Sequence, residues 1–155
     1  KPSAIERDLA FVPALSGLGC PYWDRTAGGV WIGLSLDTRK SDLMQSILEG
    51  IVFRAAEVIA AMSEFISIKN EISIDGGVTA NPYFCQFLAD VLNRRIIAQS
   101  LAELTAFGTA KLTAGNNIDQ KMRDSLARQY QPETDRRQYL EKFKDAVTRS
   151  IEWRS

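Results

Sequence analysis

The stretch "ISIDGGVTANPYF", residues 72–84, sets the reading of this chain. An apolar, β-rich run ends on Asp75, two glycines follow, and Asn81-Pro82 then opens a helix. Asparagine is a favoured N-cap, and proline suits the first helical position. Phe84, Phe87, Leu88, Val91 and Leu92 recur at helical spacing and give that helix an inward face. "RRIIAQS" (94–100) then reads as a short strand. In open sheets built from such units, ligands gather beyond the carboxyl ends of the strands, where Gly76, Gly77 and Asn81 stand. Two glycines let a ligand lie against the backbone, and the unpaired amides at a helix start can hydrogen-bond to it. Asn81 carries a donor and an acceptor suited to an adenine edge or a ribose hydroxyl. The competing reading is a tight strand-to-helix turn with Asn81 as an ordinary cap, and these residues alone leave both open. The pattern is neither Gly-x-x-x-x-Gly-Lys-Ser/Thr nor Gly-x-Gly-x-x-Gly.

Outward from this unit the chain keeps alternating. Upstream, Ser41 is expected to cap a long helix ending near Ser67. Its apolar stripe runs Met44, Ile47, Leu48, Ile51, Ala55, Val58, Ile59, Met62 and Phe65, which is taken as the packed face. "GGVWIGLSL" (28–36) reads as a buried strand bounded by glycines. "FVPALSGLGCPYWD" (11–24) reads as a short apolar strand leading into an irregular loop, with Tyr22 and Trp23 expected to pin that loop to the domain. Residues 1–10 show no clear period, and the chain looks cut there. Downstream, Thr105 is expected to cap a helix rich in small residues (Ala106, Gly108, Thr109, Ala110, Ala114) that stops at Gly115. Close helix packing is the favoured reason for those small residues. A polar connector then leads to an amphipathic helix from about Thr134, with Leu140, Phe143, Val147 and Ile151 inward. Alternation of this kind calls for a parallel or mostly parallel sheet covered by helices.

The chain's 155 residues suffice for one domain with a core, and 45% apolar and 25% charged residues are ordinary for a globular protein. Nineteen basic residues balance nineteen acidic ones, so no net field draws the chain to nucleic acid or an anionic membrane. No apolar run is long enough to span a bilayer. Cys20 and Cys85 carry no pairing signal and no signal peptide is visible, which points to a reduced, cytoplasmic setting. The absence of histidine excludes Ser-His and Cys-His catalysis and nearly all zinc sites. Chemistry must therefore rest on carboxylates, lysine, backbone amides or a magnesium-bound nucleotide. Asp24, Asp37, Asp42, Glu49 and Asp75 are the acid/base candidates. Asp42 suits a helix first turn, Glu49 interrupts the apolar stripe and calls for a polar partner, and Asp75 is the best placed, with a backbone-bonding turn role favoured over catalysis. None of these makes an active site on its own.

Several stretches together resemble the FGGY family of carbohydrate kinases. They are "FVPALSGLGCPYWD", "GGVWIGLSL", "LEGIVFRAAEVIAAM" (48–62), "IDGGVTANPYFCQFLADVLNRRI" (74–96) and "ELTAFGTAKLTAG" (103–115), in the family's order over residues 11–116. The Gly-Leu-Gly-x-Pro-Tyr-Trp form of the loop is similar to the members that phosphorylate glycerol rather than to xylulose kinases. The resemblance implies a ribonuclease-H-like, actin-like ATPase fold, with residues 1–155 as a partial C-terminal domain, incomplete at its N-terminal side, and 117–155 as a helical extension. It implies transfer of the ATP γ-phosphate, with Mg, to a polyol hydroxyl, giving glycerol 3-phosphate from glycerol. A xylulose-type kinase, or a non-catalytic adaptor of actin-like fold, stays open as an alternative. By motif match Gly77 and Asn81 carry over as nucleotide contacts, and Gly76 as the turn that admits them. The family's catalytic base, polyol pocket and phosphate loops lie mostly in stretches absent here. The resemblance therefore implies ATP or ADP as a partner, but no catalytic residue, no metal ligand and no activity in this chain alone. Unpaired strand edges point to a homo-oligomer.

Overall fold

A computed structural model describes residues 2–99 and 127–154. A 3-10 turn, Ile5–Arg7, leads into strand β1 (Ala10–Val12), which pairs antiparallel with β2 (Val30–Ile32), Phe11 opposite Trp31. The buried strand expected over 28–36 is thus only three residues long and partly exposed. Gly33 ends it in the left-handed region, at φ 83°, where only glycine turns the chain without strain. Half of the aromatic anchor in the preceding loop holds. The Tyr22 hydroxyl donates to Glu57 Oε1, and the Arg54 guanidinium lies 5.0 Å over the Tyr22 ring. Trp23, by contrast, is 75% exposed.

Helix α1 (Lys40–Ser63) starts one residue before Ser41 and stops short of Ser67. Its first turn is fixed by Asp42, whose Oδ2 accepts from the Arg39 N–H at 2.9 Å. A carboxylate there also meets the positive end of the helix dipole. The face it buries is not the apolar stripe. Asp42, Ser46, Glu49, Gly50, Val52, Phe53, Ala56 and Glu57 point inward, whereas Met44, Ile51, Met62 and, beyond the helix end, Phe65 are exposed. At 3.6 residues per turn the two sets lie on roughly opposite sides of the cylinder. The inward face can carry polar and small residues beside Val52 and Phe53 because each of its acids has a dedicated partner, and because Gly50 lets the helix cross β1 closely. A Cβ on Gly50 would stand 2.1 Å from the Phe11 carbonyl oxygen.

The βαβ unit is present as read. Strand β3 (Glu71–Ile74) is followed by a 3-10 turn, Gly77–Ala80, by α2 (Pro82–Leu92) and by β4 (Arg95–Ala98), which runs parallel to β3 with Glu71 opposite Arg95 and Ile74 opposite Ala98. The connector expected to be polar coil supplies a further strand, β5 (Arg128–Tyr130), antiparallel to β4. Among the described residues there are therefore two small sheets, a ribbon and a mixed three-strand sheet, rather than one parallel sheet. Helix α3 (Tyr139–Thr148) begins later than Thr134 and buries Phe143 and Val147. The three described α-helices meet at Phe53, which stacks on Phe143 at 4.9 Å and meets the edge of Phe87 at 5.5 Å. The helix expected from Thr105 lies outside the described residues.

Candidate functional site

The end of β3 holds the three residues singled out from the sequence. Gly76 sits at φ 100°, ψ 168°, a region essentially reserved for glycine. Gly77 opens the 3-10 turn with φ outside the left-handed region. Among the described residues, a Cβ on either glycine would find no heavy atom within 4 Å. The backbone therefore accounts for Gly76, while neither the backbone nor packing against the described residues accounts for Gly77. Asn81 is a true N-cap, its Oδ1 accepting from the N–H groups of Tyr83 at 2.9 Å and Phe84 at 3.3 Å. That leaves its Nδ2 amide, for which the described residues offer no partner, as the donor available to a ligand. Buried Thr79 closes the loop: its N–H and its hydroxyl both donate to the Gly76 carbonyl, at 3.0 and 2.7 Å.

Glu49 holds the start of α2 in place. Its carboxylate accepts from the backbone N–H groups of Ala4 (2.7 Å) and Ile5 (2.9 Å) and from the Tyr83 hydroxyl (2.5 Å), and Gln45 Nε2 donates to the same hydroxyl at 2.8 Å. Burial raises the Glu49 pKa against the opposing pull of these donors, and burial raises that of Tyr83 as well. The polar partner expected for Glu49 is thus a three-way junction of the N-terminal turn, α1 and α2. No local signal marks it, because its partners lie more than thirty positions away along the chain. At the far end of α2, Asp90 accepts from the N–H groups of Glu133 and Thr134 and from Arg136, which fastens the C-terminal segment.

The five acid/base candidates are not brought together. Asp42 pairs with Arg7, and Asp24 binds the Thr26 N–H and hydroxyl and the Glu152 N–H, bonds that hold its pKa below the usual carboxylate range. Asp37 and Asp75 are exposed. Among the described residues Asp75 makes no side-chain hydrogen bond, so the turn role expected for it goes to Thr79. No three of the described carboxylates or cysteines gather into a metal site.

The model of the FGGY family of carbohydrate kinases, C-terminal domain, matches residues 1–116. This chain belongs to that family. Relatives similar to this FGGY chain include glycerol kinases of Thermococcus gammatolerans, 38% identical over 92% of the chain, and of Mycoplasma pneumoniae, 35% identical over 97%. The chain spans 31% and 32% of those two proteins, about a third of their length. Among solved structures, Plasmodium falciparum glycerol kinase with ADP superposes with TM-score 0.78 at 26% identity, over 96% of this chain and 31% of that one. A xylulose kinase of Lactobacillus acidophilus, 23% identical with TM-score 0.63 over 95% of this chain and 31% of that one, shares the fold. The FGGY chain thus has the ribonuclease-H-like, actin-like α/β fold of these kinases, and β3 with its glycine turn is a strand end of that fold. No described helix is long and apolar enough to cross a membrane.

Proposed function

We propose that this chain is the adenine-nucleotide-binding part of a kinase that moves the γ-phosphate of ATP to a polyol hydroxyl, with glycerol as the acceptor. The observation that carries this reading is Gly77, a glycine that none of the described residues requires. A flat ligand against the turn would require it, because any side chain would occupy the ligand's space. In this reading Gly76 bends the strand end out of the way, Gly77 admits the adenosine, and Asn81 donates from Nδ2 while its Oδ1 stays committed to the cap. The first amides of α2 are committed to Asn81, so the helix contributes its dipole, which favours the electron-rich edge of the base. Glycerol is favoured over a xylulose-type sugar by the glycerol kinases among the relatives. Phosphoryl transfer rests mostly on positioning and charge stabilisation, and the family's base and phosphate loops fall outside this chain, so it binds without turning over. Magnesium supplies charge neutralisation at the phosphates when bound; the described residues form no site that fits the ion, and no step is assigned to it here.

The test is a titration of the 155-residue chain with ADP, followed by amide chemical shifts. The family's phosphate loops fall outside this chain, so affinity no better than roughly millimolar is expected, with shifts centred on residues 75–81. Shifts that appear elsewhere while these residues stay still would reject the site. No response at all would favour an adaptor without nucleotide affinity.

A further inference from the structure

The glycine turn is braced from outside its own motif. Arg128, at the start of β5, sends Nη2 to the carbonyl oxygen of Thr79 at 2.8 Å, and Cys85 Sγ donates to the same oxygen at 3.3 Å. Thr79 in turn holds the Gly76 carbonyl twice, through its N–H and its hydroxyl. The path from Arg128 to the glycines is therefore two hydrogen-bond links long, and its middle member is buried. A charged donor on a carbonyl is stronger than a neutral one, and a planar guanidinium fixes the direction of the bond as well as its length. Tyr130, on the same strand, packs against the buried cluster that contains Cys85, so β5 meets both the turn and α2.

We infer that Arg128 is a positioning residue for the nucleotide: through Thr79 it sets the backbone of Gly76 and Gly77 against which the base would lie. This rests on the nucleotide reading of the turn. It extends that reading to a residue beyond the stretch that matches the family model, which ends at 116.

The test compares the full chain with Arg128→Met and Arg128→Lys. Methionine keeps the length of the side chain and removes the donors; lysine restores one donor without the planar fork. The first readout needs no ligand. Hydrogen exchange at the Thr79 and Asn81 amides, which close the 3-10 turn, is expected to speed up about tenfold in Arg128→Met and to recover in part in Arg128→Lys, with the thermal midpoint nearly unchanged. The second readout is ADP affinity, expected to weaken about five- to tenfold in Arg128→Met and less in Arg128→Lys, the scale of one charge-assisted hydrogen bond. Unchanged exchange at Thr79 and Asn81 overturns the brace whether or not nucleotide binds. Faster exchange with unchanged ADP affinity shows a brace that does not position the ligand, and also overturns the inference. If the wild-type chain shows no ADP response at 75–81, it is the nucleotide reading that has failed, and the exchange data still decide the brace.

Discussion

Replacing the two glycines of the turn one at a time separates what the fold needs from what the ligand needs. At Gly76 the backbone stands at φ 100°, ψ 168°. An alanine held in that region costs about 1–3 kcal/mol. For a chain of 155 residues, each ~1 kcal/mol moves the thermal midpoint by roughly 2–4 °C, so Gly76→Ala should melt several degrees early. At Gly77 there is no such strain, and no described heavy atom lies within 4 Å of a new Cβ. Gly77→Ala should therefore be neutral or even stabilising by about 0.4–1 kcal/mol, through loss of freedom in the unfolded chain. For ADP the order reverses. Gly77→Ala puts a methyl group where the base must lie, and Gly77→Val a larger one, so affinity should fall at least roughly tenfold, about 1.4 kcal/mol. Circular dichroism melts and an ADP titration on the two single variants give both axes. The reasoning is refuted if Gly77→Ala melts as early as Gly76→Ala, because the fold would then need that glycine after all. It is refuted equally if Gly77→Val binds ADP as the parent chain does.

Three further outcomes are expected. The wild-type chain should be most favoured over Glu49→Gln at low pH. Burial raises the folded pKa of Glu49, so the stability this group contributes is fully present below the unfolded value and is lost as pH rises through the folded one. Chemical denaturation at pH 4 to 7 should show the wild-type advantage shrinking, and a constant or growing advantage contradicts it. Glu49→Ala, which strands two backbone N–H groups and the Tyr83 hydroxyl, should cost about 3–5 kcal/mol at pH 4, a difference that also narrows as pH rises. The chain should self-associate through the open side of α1, where Met44 is 56%, Ile51 38% and Met62 44% exposed, helped by β3 at the edge of its sheet and a net charge of zero. Light scattering should find association that Met44→Lys with Met62→Lys relieves; a monodisperse wild-type monomer at tens of micromolar argues otherwise. Finally, glycerol and MgATP should release no ADP above buffer in a coupled assay, and glycerol-dependent turnover would place the base inside this chain.

The part of the fold that could be read from the sequence is the part determined locally. Asn81-Pro82 and the glycines fix the entry to α2 within a few residues, and the spacing of Phe84, Phe87, Leu88 and Val91 fixes its buried face. The inward face of α1 does not follow its apolar residues. A helix covered on two sides carries two faces, and the one packed here is held by Asp42, Glu49 and Glu57 through partners far along the chain. β5 was missed because Arg128, Gln129 and Tyr130 have no strand-like alternation; the strand exists because β4 offers it an edge. Trp23 shows the limit of composition, since a large aromatic in a glycine-rich loop marks an anchor only when a cavity receives it. At the site, the glycines are visible as letters, but the division of labour between them is not: it depends on one torsion at Gly76 and on the lack of any described atom beside Gly77.

The long-range hydrogen bonds also set an order of events during synthesis. Arg136 Nη1 donates to Ser3 Oγ, Lys142 Nζ to the Ile5 carbonyl, and Gly28 N–H to the Ser150 carbonyl, while α3 lies against β1. The earlier elements of this stretch are therefore enclosed by the later ones. Until Phe143 has been made, Phe53 and Phe87 lack the ring that covers them, and a nascent chain must carry that apolar surface uncovered. Translation speed through residues 127–150 thus governs how long the growing chain is open to chaperones and proteases, and a slow codon there prolongs the exposure without altering a single contact in the finished fold.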